Sequence, residues 1–120
     1  MIEEYKLGLI TIDGEDYDYD VQVRWDDEVS EWQRDEDYKI KLQDVLPALE
    51  QNPEVIVIGN GEAGMCEVEG EAKRAIEERG IKLIIDKTEQ ATRTFNIRKE
   101  DSMEEEGRLE KVIGLFCLEY

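Results

Sequence analysis

The residues of this chain best placed to do chemistry form one run, Val55-Ile56-Val57-Ile58-Gly59-Asn60-Gly61-Glu62-Ala63-Gly64. An apolar strand runs straight into a G-x-G-x-x-G loop. Asp86 closes the next strand about 20 residues on, where a dinucleotide fold places its ribose-binding acid. A working site of that kind needs the helix to begin inside the glycine motif, so that its first N–H groups meet the pyrophosphate. Here Met65-Cys66-Glu67-Val68-Glu69-Gly70 intervenes in an alternating pattern, and the helix is expected only near Gly70. Glu62, Glu67 and Glu69 would repel a diphosphate. A chain of 120 residues also leaves no room for a second mononucleotide-binding half. No cofactor is therefore expected, and the glycines are read as serving positive φ or close backbone approach. The loop keeps one ligand possibility. If the strands before Gly59 and before Asp86-Lys87-Thr88 are parallel neighbours, both loops share a carboxyl edge, where open α/β sheets bind ligands. Asn60, Gly61, Gly64 and Thr88 are the candidate crevice.

Other chemistry is sparse. Histidine is absent, which removes Ser-His-Asp and Cys-His pairs and the commonest ligand of catalytic zinc. Cys66 and Cys117 are too few for a disulfide framework and read as buried reduced thiols. Asp16-x-Asp18-x-Asp20 faintly resembles a calcium loop, but Val21 stands where the sharp turn needs glycine. A solvated acidic strand face is the simpler reading, and no metal site is expected. Arg24, Trp32 and Arg34 are a candidate partner surface, since Trp and Arg concentrate interface energy. The alternative is that both tryptophans, Trp25 and Trp32, are core.

The chain carries 32 acids against 15 bases, a net charge of −17. That field repels a phosphate backbone, so no nucleic-acid partner is expected. It suits a basic partner, a salty cytoplasm or plain solubility. No apolar run reaches the roughly 20 residues that span a bilayer, and the acidic Met1-Ile2-Glu3-Glu4 lacks a signal-peptide plan. A cytoplasmic chain without membrane insertion is expected, a monomer or weak homo-oligomer.

The elements follow from periodicity. Tyr5 to Ile12 reads as a strand ending at the hairpin signal Asp13-Gly14. A partner strand runs from about Glu15 to Trp25, with Tyr17, Tyr19, Val21, Val23 and Trp25 on one face and Asp16, Asp18, Asp20, Gln22 and Arg24 on the other. Asp26-Asp27 make a second turn, and Val29 to Trp32 a short extended segment. A short helix follows, with Asp44 as N-cap, Pro47 in its first turn, and Val45, Leu46 and Leu49 buried. Val55 to Ile58 reads as a central strand covered on both faces. A helix from Glu71 to Arg79 ends at Gly80, and Ile81 to Ile85 is a second apolar strand. Thr88 caps a third helix, with Ala91 and Phe95 inward, reaching about Lys99. Asp101 to Gly107 reads as an acidic loop, and Val112 to Leu118 as a last buried strand. The β-hairpin region followed by β-loop-α-β-α-β predicts an α/β fold: one domain over 1–120, with a central mixed sheet flanked by helices and antiparallel strands from the first half.

The run from Asn52 to Gly64 resembles the K-P-E-x-x-x-I-G-T-G-x-x-G segment of the mitochondrial complex I assembly factor 3 and adipogenesis-associated domain family. Tyr5-x-x-Gly8-x-Ile10-x-Ile12-Asp13-Gly14-x-x-Tyr17 is similar to that family's F-G-x-I-x-I-D-G-x-x-Y. Trp32-Gln33-Arg34 resembles its W-x-R element, and Thr88-Glu89-Gln90-Ala91 through Phe95-Asn96 its T-x-x-A-x-x-x-Y-N helix. The chain departs from the pattern at Glu36-Asp37, where the family has glycine-histidine, at Asn60 for threonine, and at Cys117-Leu118-Glu119-Tyr120 for His-Leu-Thr-Cys. The resemblance implies a compact α/β domain with a central mixed sheet and an extra β layer. It implies no established reaction, and it associates eukaryotic members with respiratory-complex assembly and gene regulation. The expected function is a non-enzymatic protein-interaction or assembly module with an unknown protein partner. A small-molecule or nucleotide-binding domain using the Gly59–Gly64 crevice is one alternative, and an enzyme using Asp86 or Cys66 as reactive group another.

Overall fold

The computed structural model describes the backbone of residues 1–120 and the side chains of all but residues 104–106. Strands β1 (Ile2–Lys6), β2 (Leu9–Ile12) and β3 (Glu15–Tyr17) form a three-stranded antiparallel sheet. β4 (Val21–Val23) and β5 (Val29–Glu31) belong to a second sheet, completed by β7 (Val55–Asn60), β9 (Lys82–Asp86) and β10 (Val112–Cys117). Its order is β5-β4-β10-β7-β9. β10, β7 and β9 run parallel, and β4 and β5 are antiparallel. β6 (Lys39–Ile40) and β8 (Glu67–Val68) make a short parallel pair. The helices are α1 (Leu42–Leu49), α2 (Gly70–Glu78) and α3 (Thr88–Glu106). The mixed central sheet with helices and an added antiparallel layer is the fold that the sequence predicts.

Strand alternation builds two cores. Ile56 and Ile58 of β7, with Ile113, Leu115 and Cys117 of β10, face α1 and α2. Val55, Val57, Val112 and Phe116 face α3 and the three-stranded sheet. The helices take opposite faces because the chain reverses direction along the sheet. β7-α2-β9 steps outward and β9-α3-β10 steps back across β7, so crossovers of the same hand fall on opposite sides. α3 lies close because Gly59 and Gly114 carry no side chain. A Cβ on Gly114 would stand 2.5 Å from the Phe116 ring, itself edge-on to Phe95 at 6.1 Å.

Several local expectations are corrected. The predicted strand from Tyr5 to Ile12 is two strands, folded at Leu7-Gly8, where Gly8 takes φ +78°. The predicted strand from Glu15 to Trp25 breaks at Asp18–Asp20 and feeds both sheets, so Asp20 leaves the solvated face. Lys41, not Asp44, is the N-cap of α1; Asp44 sits one turn in and accepts the Lys41 N–H at 2.8 Å. Pro47 thus lies in the second turn. Lys87, not Thr88, caps α3. That helix passes Lys99 and ends at Gly107 (φ +70°). Buried Ser102 supports the added turns, accepting the Glu110 N–H at 3.0 Å, while Arg98 forks onto Glu110. The expected acidic loop is therefore largely helix; the side chains of residues 104–106 lie outside the described residues. β9 is an edge strand with Leu83, Ile84 and Ile85 only partly covered, because no strand lies beyond it. No helix among the described residues is long and apolar enough to cross a membrane.

Candidate functional site

β7 and β9 are parallel neighbours, so the Gly59–Gly64 loop and the Asp86–Thr88 turn do meet at the carboxyl edge of the sheet. Thr88 joins them. Its backbone N–H donates to Gly61 O at 3.1 Å, and its hydroxyl accepts the Gly61 N–H at 2.9 Å. The same hydroxyl donates to Cys117 O at 2.6 Å. The Gly61 N–H, which a phosphate-binding loop would offer to its ligand, is thus already committed.

Each glycine of the motif has a local cause. A Cβ on Gly59 would lie 2.8 Å from Thr88 Oγ1. A Cβ on Gly61 (φ +107°) would lie 2.6 Å from Glu119 O and from the carbonyl carbon of Tyr120. Gly64 takes φ +72°. The space that a dinucleotide fold keeps open for pyrophosphate is here filled by residues 119–120 of the same chain. α2 begins only at Gly70, outside the motif.

The segment after β10 is held from several sides. Leu118 O accepts from the Gly8 N–H at 2.9 Å and the Tyr5 hydroxyl at 2.8 Å. Leu118 N–H donates to Asp20 Oδ1 at 2.8 Å, and Met65 N–H to Tyr120 O at 3.0 Å. Burial and the neighbouring Glu62 carboxylate push the Tyr5 phenol pKa up, so it stays a donor.

Of the crevice residues, Asn60 and Gly64 line a cavity of about 360 Å³ with Met65, Glu67, Val68, Lys73 and Ile85. Gly61 and Thr88 do not line it; both are buried against the segment after β10. Asn60 Oδ1 is buried without a hydrogen-bond partner among the described residues. Lys73 escaped notice in the sequence because nothing local distinguishes it from other charges on α2. Asp86 is exposed, its carboxylate accepting the Lys87 N–H at 2.9 Å.

Of Arg24, Trp32 and Arg34, the structure brings the last two together, the Arg34 guanidinium lying 5.3 Å from the centre of the Trp32 ring, but as a buried pair rather than an exposed surface. Trp32 is buried, with Nε1 donating to Asp44 O at 2.9 Å. The Arg34 side chain is 6% exposed. Its guanidinium pairs with Asp20 Oδ2 at 2.8 Å and donates to the carbonyls of Glu36, Asp37 and Lys39. Arg24 is half-buried over the Trp25 ring and paired with Asp26. Below Arg34 lie Cys66 and Cys117, both buried and free. The hydrogen bond from Cys117 and the Arg34 charge lower the Cys66 pKa against burial. The same contact and burial raise that of Cys117.

Exposed apolar side chains gather at this edge instead. The Tyr38 and Tyr120 rings meet at a tilt of 53°, their centroids 4.5 Å apart. Tyr38 is 51% and Met65 57% exposed, and Tyr19 borders a second cavity of about 230 Å³ with Tyr120, Arg34 and Glu119. Among the described residues no group of acids and cysteines is arranged to hold a metal ion.

Solved structures share this architecture. A conserved hypothetical protein, PH1505 from Pyrococcus horikoshii OT3, is 20% identical with a TM-score of 0.81, covering 100% of this chain and 99% of that one. A Bartonella henselae protein described as an outer membrane protein is 20% identical at 0.75, covering 99% and 94%. A Bordetella pertussis protein described as an Mth938-like domain is 17% identical at 0.64, covering 98% and 85%. At such identities the likeness is one of fold. Among curated proteins none matches the chain. The family model that does match covers residues 2–108, and the chain therefore belongs to the DUF498/DUF598 family of proteins of unknown function.

Proposed function

We propose that this chain is a non-enzymatic protein-interaction module whose docking face is the carboxyl edge of the parallel strands. The observation that carries the reading is the gathering of Tyr19, Tyr38, Met65 and Tyr120 around the segment after β10, on a chain of net charge −17. Aromatic and Met side chains are the residue types enriched at interface cores, with a polar rim around them. Asp18, Asp37 and Glu119 border the same face, which calls for a partner with an apolar centre and basic margins. The resemblance to the complex I assembly factor 3 and adipogenesis-associated domain family supports an assembly role. The test compares partner capture by the native chain, by Tyr38→Ala/Met65→Glu, and by an Ile97→Glu control on exposed α3. The double variant is expected to weaken binding about thirtyfold, as loss of about 2 kcal/mol at an interface core does. Equal capture by all three would overturn the reading.

A small-ligand reading has one observation of its own. Lys73 makes no ion pair among the described residues and shares the 360 Å³ cavity with the unpartnered Asn60 Oδ1. A ligand with a carboxylate for Lys73 and a hydroxyl or amine for Asn60 fits that pair. Glu67 beside it disfavours a nucleotide diphosphate. Such a compound at 100 times its dissociation constant adds about 2.7 kcal/mol of stability. A panel of small hydroxy- and amino-acids giving no thermal shift, or a shift surviving Lys73→Ala, would refute it.

A further inference from the structure

Cys66 and Cys117 are distant in sequence but share one spot in the fold. Asn60 O accepts the Cys66 N–H at 2.9 Å, and Asn60 is the parallel-register partner of Cys117. Both thiols are buried, free and part of the same core cluster on one face of the sheet. Cys66 Sγ lies 3.4 Å from Asp37 O, 3.9 Å from Glu119 O and 4.0 Å from Arg34 Nη2. Those three residues line the 230 Å³ cavity, so the sulfur sits one layer beneath solvent. Arg34 is fixed by Asp20, which leaves a buried cation facing the thiol pair.

We propose that Cys66 is a peroxide-reactive thiol and Cys117 its resolving partner, the two closing a reversible disulfide inside the folded chain. The Cys66 thiolate attacks one oxygen of hydrogen peroxide, whose O–O bond breaks. Cys66 becomes a sulfenic acid, and the departing hydroxide takes the proton that Cys66 released. Cys117 sulfur then attacks the Cys66 sulfur and the S–OH bond breaks. The leaving hydroxide takes the Cys117 proton, so two thiols and one peroxide give one disulfide and two waters. Roles divide as the surroundings dictate. Cys66, facing the Arg34 guanidinium and hydrogen-bonded by Cys117, is the more acidic thiol and hence the nucleophile. Cys117, deep in β10, keeps its proton until the second step. Closing the pair brings the two sulfurs to the ~2.05 Å of an S–S bond. Peroxide is small enough to reach a sulfur one layer down, and the product would tie the Gly61–Cys66 segment to β10.

The test oxidises the native chain with hydrogen peroxide and maps its peptides without reduction; mapping separates the disulfide from oxygen added at exposed Met65. The expected product is a single Cys66–Cys117 linked pair, reversed by a thiol reductant. With dimedone present, the native chain should label at Cys66 at least tenfold faster than at Cys117. Cys117→Ser should accumulate the Cys66 adduct, and Cys66→Ser should leave Cys117 unlabelled. The inference is overturned if native thiols resist peroxide while urea-unfolded thiols react, if the first adduct forms at Cys117, or if the disulfide links two chains. Dimedone labelling of the native chain needs no variant to fold.

Discussion

Thr88 is the residue on which the carboxyl edge turns. Its hydroxyl satisfies a backbone donor at Gly61 and a backbone acceptor at Cys117, both away from water. Valine matches threonine in shape but makes neither bond. Thr88→Val is therefore expected to cost about 2–3 kcal/mol, since an orphaned buried polar group costs roughly 1–3 kcal/mol. Thr88→Ser keeps both bonds and loses one methyl, about 1 kcal/mol. Urea midpoints at constant slope measure both, and equal losses for the two variants would contradict the assignment. The sequence places Thr88 at this edge but misreads its task as a helix cap, because threonine before a helical pattern is the usual cap signal. Trp32 and Arg34 mislead in the opposite way. Their types suggest an interface, while their burial depends on Asp44 O and Asp20, partners that no local pattern reveals.

At the scale of elements, Glu54 fastens the start of β7 to the approach of β10. Its carboxylate takes a forked pair of hydrogen bonds from Arg108, at 3.1 and 3.0 Å, and one from Lys111 N–H at 2.8 Å. Arg108 and then the Lys111 N–H lower its pKa from 4.5 to about 2. A depressed carboxylate stabilises the fold fully above its unfolded pKa and loses that stabilisation as pH falls through the folded one. Glu54→Gln should thus be less stable than the native chain at neutral pH, with the difference shrinking between pH 4.5 and about 2. Glu54 is 40% exposed, so solvent screening holds the neutral-pH loss to about 1 kcal/mol. Denaturation of both chains across that range checks it; a constant difference would refute the linkage. The apolar runs of β7 and β10 were readable because burial on both faces leaves a continuous hydrophobic signature. The break between β3 and β4 was not. Tyr17, Tyr19 and Val21 keep one alternation through a corner where the backbone changes sheets, and period-two patterning is blind to which sheet a strand joins.

For the molecule as a whole, the glycine loop shows where sequence reading ends. Its strand, its delayed helix and its parallel neighbour are local or periodic features, and all three were legible. What occupies the space beside Gly61 is decided by residues 119–120, half the chain away, and what meets Cys66 is decided by the register of β10. The open side of β9 has a wider consequence. Its outer row of N–H and C=O groups pairs with no strand, and Leu83, Ile84 and Ile85 lie only partly covered along it. Such an edge is a template on which another chain can add a strand. Lys82 and Asp86 mark its two ends, but the stronger safeguard is the acidic surplus, which repels a second copy before the edges meet. Salt shortens the reach of that repulsion to about 8 Å at physiological strength. The surface charge of this fold therefore sets its colloidal behaviour: conditions that screen the acids expose the sheet to edge-to-edge aggregation.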